Sequence, residues 1–158
     1  MDANVLIDFL HTGNYEVLSQ FSEKIATITI LDVIVGEVQE LNELMVRESG
    51  MVFQKTDEDT LDAAVELASS GSALSFQDHC LFETACNLSY GIITGERKLI
   101  TKAKEQSINT LRGFRLVYHL CSDRYISKND GLSIVTKIVN YNPFFNKSHI
   151  IDFLDLFE

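Results

Sequence analysis

The sequence predicts an α/β fold: a three-layer α/β/α sandwich with a central parallel sheet, followed by C-terminal helices. Two observations carry this. Short apolar runs of strand character alternate with amphipathic helical stretches as far as Leu111. Strands that alternate with helices form parallel sheets covered on both faces. After Gly113 the alternation stops and only helical patterns remain. Residues 1–112 are therefore read as the α/β domain, and 113–158 as a helical extension packed on it. The chain has 158 residues, about one domain's worth and long enough for a core of its own.

Each element has a local cause. Val5, Leu6, Phe9 and Leu10 recur at helical spacing and stop near Gly13. A second helix is expected from Tyr15 to Phe21, then a strand from Ile25 to Ile30. Asp32 is placed as the cap of one long helix through Val33, Ile34, Val38, Leu41 and Leu44 to about Arg47. Met51 to Gln54 reads as a strand. Asp57 to Ala68 reads as a helix with Leu61, Ala64, Val65 and Ala68 inward. Ser69 to Ser72 is a loop.

The stretch Leu74 to Leu99 organises the rest. Ser75 and Asp78 have the S-x-x-D spacing of a capping box. Leu81, Phe82, Ala85 and Leu88 give that helix a buried face. Tyr90 to Thr94 is a short buried strand broken by Gly95, and Glu96 follows. Lys98 to Gln106 is a short helix and Ile108 to Leu111 an edge strand. Phe114 to Cys121, Ser127 to Tyr141 and Ser148 to Phe157 are the three tail helices.

Composition narrows the function classes. Hydrophobic residues are 46% and charged residues 23%, which is ordinary for a globular domain. No apolar run is long enough for a membrane span, and no signal-peptide pattern is visible. Three cysteines without C-x-x-C spacing point to a reduced, cytoplasmic protein. A net charge of −10 repels nucleic acid at long range, unless basic residues cluster locally or cations neutralise a site.

Four acids stand out: Asp2, Glu37, Asp78 and Glu96. Asp2, Glu37 and Asp78 are read as early in helices, and Glu96 as closing a strand. In open α/β sheets the carboxyl edge of the strands is where ligands bind. Crowded carboxylates repel unless protons or a cation offset them, and hard divalent cations take oxygen ligands. Taken singly, each acid has a plainer reading: a helix cap for Asp78, solvated carboxylates for Glu37 and Glu96. Asp8 and Glu83 are read as a solvated helix face, and His79 as a surface residue or a neighbour of the site. Arg97, Lys98, Lys102 and Lys104 form the only dense basic cluster. It is either a solvated helix start or a patch that contacts phosphate.

The run D-A-N-V-L-I-D from Asp2 to Asp8 resembles the opening motif of the PIN-domain ribonucleases. I-L-D-V-I-V-G-E ending at Glu37, L-S-F-Q-D ending at Asp78, and I-I-T-G-E-R-K-L from Ile92 to Leu99 resemble that family's later motifs in order and spacing. The resemblance covers about Asp2 to Leu111. It implies an endoribonuclease dependent on Mg2+ or Mn2+, often the toxin of a VapBC-type toxin–antitoxin pair. Asp2, Glu37, Asp78 and Glu96 would then be catalytic metal ligands, with Asn4 supporting Asp2. Arg97, Lys98 and Lys102 would contact RNA phosphates. The apolar tail from Phe144 to Phe157 is read mostly as core, with part of it available to an antitoxin or a homodimer partner.

Two departures from the family pattern matter. The fourth acid is Glu96 where the family usually has aspartate. The first strand, which lies mid-sheet in that fold, is absent before Asp2. The expectation is a natural gene product beginning several residues upstream, with about four to six residues rich in Val, Ile or Leu. The rival functions are a catalytically weak or inactive PIN domain that binds protein or RNA, and a receiver-like phosphoacceptor. The second ranks low, because no acceptor Asp and later Lys form a suitable pair.

Overall fold

The computed structural model describes all of Met1–Glu158. It is a mixed α/β structure, mostly helical, with short parallel strands. The chain runs α1 (Ala3–His11), α2 (Tyr15–Lys24), β1 (Thr29–Leu31), α3 (Asp32–Val35), α4 (Glu43–Glu48), β2 (Val52–Gln54) and α5 (Glu58–Ser69). It continues α6 (Phe76–Leu88), β3 (Ile92–Ile93), α7 (Arg97–Glu105), β4 (Thr110–Leu111), α8 (Gly113–Ser122), α9 (Lys128–Tyr141) and α10 (Lys147–Asp155).

The strands form two pairs rather than one sheet. β1 pairs with β2 in parallel, Thr29 opposite Val52. β3 pairs with β4 in parallel, Ile92 opposite Thr110. The only link between the pairs in the sheet plane is the start of the chain. The Met1 amino group donates to Thr29 O at 2.9 Å. The Asp2 amide donates to Ile93 O at 2.9 Å. Burial lowers the Met1 amino pKa to about 6.

The long helix expected from Val33 to Arg47 is two helices. α3 ends at Val35, and the chain turns through Gly36–Leu41, with Leu41 N–H donating to Val38 O. Asn42 is extended (φ −141°), and its side chain accepts from Met45 N to start α4. Val38 and Leu41 are buried in the turn. Their apolar spacing therefore reflects a packed turn and not a helix face, a distinction periodicity alone does not make. Three expected core positions lie outside: Leu44 is 62% exposed, Val65 54% and Leu88 45%. Asp32 is inside α3, with Leu31 as its cap. Its carboxylate accepts from Val33 N and from both Thr56 N and Thr56 Oγ1, so it ties α3 to the loop before α5.

The cap expected from sequence is in place at α6 (Ser75), and the structure adds side-chain caps at α5 (Asp57) and α9 (Ser127), each typically worth ~1 kcal/mol. The tail helices share one continuous core with the rest, from Met1 and Phe9 to Val135 and Phe153. Gly131 in α9 leaves no space for a Cβ, which would run into Cys121 Sγ of α8 and close on Phe153 of α10.

Asp8 is a correction. It is buried, not solvated, and its carboxylate accepts from Asn142 Nδ2 at 2.7 Å, joining α1 to the end of α9. Burial is the main cause that raises its pKa to about 6, above the usual 3.8. A carboxyl with a raised folded-state pKa adds stability at low pH, and that stability is lost as pH rises through the folded value. Asp8→Asn keeps an acceptor for Asn142 and carries no charge. It is expected to melt at or above the parent temperature at pH 7, with the difference gone below about pH 4. A melting series across this range checks it; a parallel pair of curves would remove Asp8 as the cause.

Candidate functional site

Three of the four predicted acids sit at helix starts, and those starts meet at one corner. Asp2 is extended (φ −71°, ψ 144°) and caps α1, its Oδ1 accepting from Asn4 N at 3.1 Å. Asp78 is the third residue of α6. It completes a capping box in which Ser75 N donates to Asp78 Oδ2 and Asp78 N donates to Ser75 Oγ. Glu96 caps α7, its Oε1 accepting from Lys98 N at 3.0 Å. Glu37 lies just past α3, in the turn and not early in a helix as expected. Acids are favoured at helix N-termini, where unpaired N–H groups carry partial positive charge. That offsets part of the repulsion that gathering them creates.

Burial and this repulsion together act on the proton affinities of Glu37 and Asp78. Glu37 is pushed above the usual carboxylate range by burial first, then by the charges of Asp2 and Asp78. Asp78 is pushed up by burial, with Asp2 and Glu96 adding to it and the Ser75 hydrogen bonds opposing. All four expected residues are therefore electrostatic neighbours. No three His, Cys, Asp or Glu side chains stand close enough to enclose an ion.

Thr94 is the residue that sequence reading missed. It is fully buried at the end of β3, and its hydroxyl donates to Asp2 Oδ2 at 2.7 Å. The same oxygen accepts from Glu96 N at 3.0 Å, which directs its proton toward Asp2. One hydroxyl thus fixes Asp2 and the backbone of Glu96 together. The signal lay in the T-G-E run after the strand, where a small donor precedes the loop acid. Asn4 supports Asp2 through its main-chain N–H. Any residue except proline supplies that donor, so the expected role of the Asn4 side chain finds no support in this hydrogen bond.

The basic cluster divides. Arg97 and Lys98 are exposed in the first turn of α7. Lys102 stands with Nζ 4.0 Å above the Phe82 ring and 3.5 Å from His79 Nδ1. That geometry lays its ammonium group over the aromatic face, a cation–π contact. His79 is buried, not at the surface, and its Nε2 is hydrogen-bonded with Ser72 Oγ. Burial and then the Lys102 charge lower its pKa, favouring the neutral ring.

Carboxylate oxygens are the donor type that hard cations take. Mg2+ is commonly held by one or two carboxylates with water and substrate phosphate completing the shell. Glu37 is the one acid of the four not used as a helix cap. No helix is long and apolar enough to cross a membrane. Compared with protein-family models, curated proteins and solved structures, the chain finds no match in any of the three.

Proposed function

We propose that this corner binds a divalent cation, Mg2+ or Mn2+, and that the protein is a PIN-like endoribonuclease, the toxin of a toxin–antitoxin pair. The observation that carries the reading is that Asp2, Glu37, Asp78 and Glu96, far apart in sequence, are neighbours: Asp2 and Asp78 raise the proton affinity of Glu37, and Asp2 and Glu96 that of Asp78. A bound cation supplies positive charge that polarises a phosphodiester and makes water a better nucleophile. Glu37 and Asp78 would hold it, with Asp2 positioned by Thr94. Arg97 and Lys98 would meet the RNA backbone. Cations in a first helical turn oppose the macrodipole, so that position has a cost a phosphate contact would offset. Exposed Phe144, Ile151 and Tyr141 on the tail would offer an apolar patch to an antitoxin or a second copy.

The second reading is a catalytically weak or inactive PIN-like module that binds protein or RNA. Its support is specific: no three acids stand close enough to enclose an ion, and three of the four are already used as caps.

Titration with millimolar Mn2+ separates the two when melting and RNA cleavage are followed together. The enzyme reading expects the melting temperature to rise, since a ligand bound only by the native state stabilises by about 2.7 kcal/mol at a hundred times its dissociation constant. It also expects cation-dependent cleavage. The double variant Glu37→Gln, Asp78→Asn should lose both. A melting curve indifferent to Mn2+ and intact RNA would leave the binding module.

A further inference from the structure

The edge where the strands end is unevenly charged. β1 leads into α3 and the turn that carries Glu37, and β2 ends beside it, with Thr56 N donating to Asp32 Oδ1 at 2.9 Å. That end is acidic: Asp57 caps α5, and Glu58 and Asp59 begin it. The other end is basic. Arg97 and Lys98 begin α7 after β3, Arg112 stands just before α8, and Arg115 is the third residue of α8. All four are exposed.

These four cations have no partner within the chain. The ion pairs are His11–Glu40, Lys24–Glu23 and Arg47–Glu43, and the cation–π contacts belong to Arg47, Lys102 and Lys128. Acids outnumber bases 23 to 13, so partners are plentiful. Arg97, Lys98 and Arg115 stand in first helical turns, where a cation opposes the macrodipole. Arg112 makes no side-chain cap bond to α8. Neither pairing nor capping therefore accounts for positive charge here. A chain at −10 does not need it for solubility either.

The basic end is close to the acidic corner. Leu111 O accepts from Thr94 N at 3.0 Å, and the Thr94 hydroxyl donates to Asp2 Oδ2 at 2.7 Å. Arg112 follows Leu111, so its backbone is one strand spacing, ~4.8 Å, from the residue that holds Asp2. The start of α8 is also fixed in place. A Cβ on Gly113 would come within 3.3 Å of Val5 and of Phe9, both on the helix that Asp2 caps.

We propose that Arg112 and Arg115, with Arg97 and Lys98, form a one-sided phosphate-binding rim over which a single RNA strand enters the acidic corner from the β4 side. The inference rests on the ribonuclease reading and adds to it a direction of approach and two arginines at the start of α8. Carboxylates alone repel a polyanion, and a strand laid over the β2 end would meet Asp57, Glu58 and Asp59 instead. Arginine forks pair with phosphate oxygens two bonds at a time.

The test measures binding apart from cleavage. The probe is a fluorescent oligouridylate of about twelve nucleotides, within the span of single-strand sites. It is titrated with millimolar Ca2+ in place of Mg2+, from about 50 to 200 mM KCl. The double variant Arg112→Gln, Arg115→Gln is expected to bind at least about tenfold more weakly at the lowest salt. Its salt slope should fall by about 1.4, at about 0.7 per phosphate contact on a single strand. Lys104→Gln, Lys137→Gln removes the same charge away from this edge and should change affinity less than about twofold. Both variants should melt with the parent, since none of the four side chains has a partner to lose. Equal losses in the two variants, or no loss in the arginine variant, overturn the rim. So does a parent chain that leaves the probe unbound. Cleavage with Mg2+ or Mn2+ is scored separately. A parent that binds through the arginines yet leaves RNA intact upholds the rim and removes the ribonuclease reading. Cleavage by the arginine variant at the parent's KM does the reverse.

Discussion

Asp78→Asn is expected to lower cation-dependent RNA cleavage by at least about a hundredfold, with the fold intact. The variant removes a charge from the corner where Asp78 and Asp2 together raise the proton affinity of Glu37. A hard cation loses more from the missing charge than from any change of shape. The helix start survives for two reasons. The substituted amide side chain still offers an oxygen to Ser75 N, and Ser75 Oγ still accepts the main-chain N–H at this position. Asp78 is also a carboxyl whose ionised form the native state disfavours, through burial first and then the charges of Asp2 and Glu96, so neutralising it relieves both. The melting temperature should stay level or rise slightly. Cleavage assayed with Mg2+ and Mn2+, beside thermal melting, reads both. Undiminished cleavage would take Asp78 out of the mechanism.

Phe153→Ala is expected to cost about 3–5 kcal/mol and to lower the stability of the whole chain in one transition. Phe153 is 1% exposed and is the one buried residue of α10. Its ring lies where a Cβ on Gly131 would come within 3.4 Å, and it packs edge-on against Phe157 at 5.3 Å. Truncation leaves a cavity among α8, α9 and α10 that rigid helices cannot close. That core is continuous with Phe9 of α1, the helix that Asp2 caps, so the loss should reach the acidic corner. Two separate melting transitions, or a cost under about 1 kcal/mol, would show that the tail is an independent unit.

The sequence by itself determined several helix starts and the alternation of strands with helices, and it named four acids as candidates. Those features depend on near neighbours. Ser75 and Asp78 form their capping box across three residues, and Ser127 caps α9 through the Asp130 amide. Local chemistry of this kind is written in the residue types and their spacing. Its limits also follow from that. The run from Val33 to Arg47 has a helical apolar period, yet Val38 and Leu41 are buried from a turn. Periodicity records that a residue is buried and not which backbone shape buries it.

Only the tertiary structure decided the rest, because it rests on partners far apart in the chain. Asp8 looked solvated until Asn142 arrived from α9 to bond it. Lys102 had no visible packing partner until the Phe82 ring was beneath it. Thr94 had no visible role until β3 brought its hydroxyl to Asp2. Whether a carboxylate caps a helix or can hold a cation depends on where the other charges stand. Sequence spacing does not contain those distances, so it named the four acids and left their geometry to the fold.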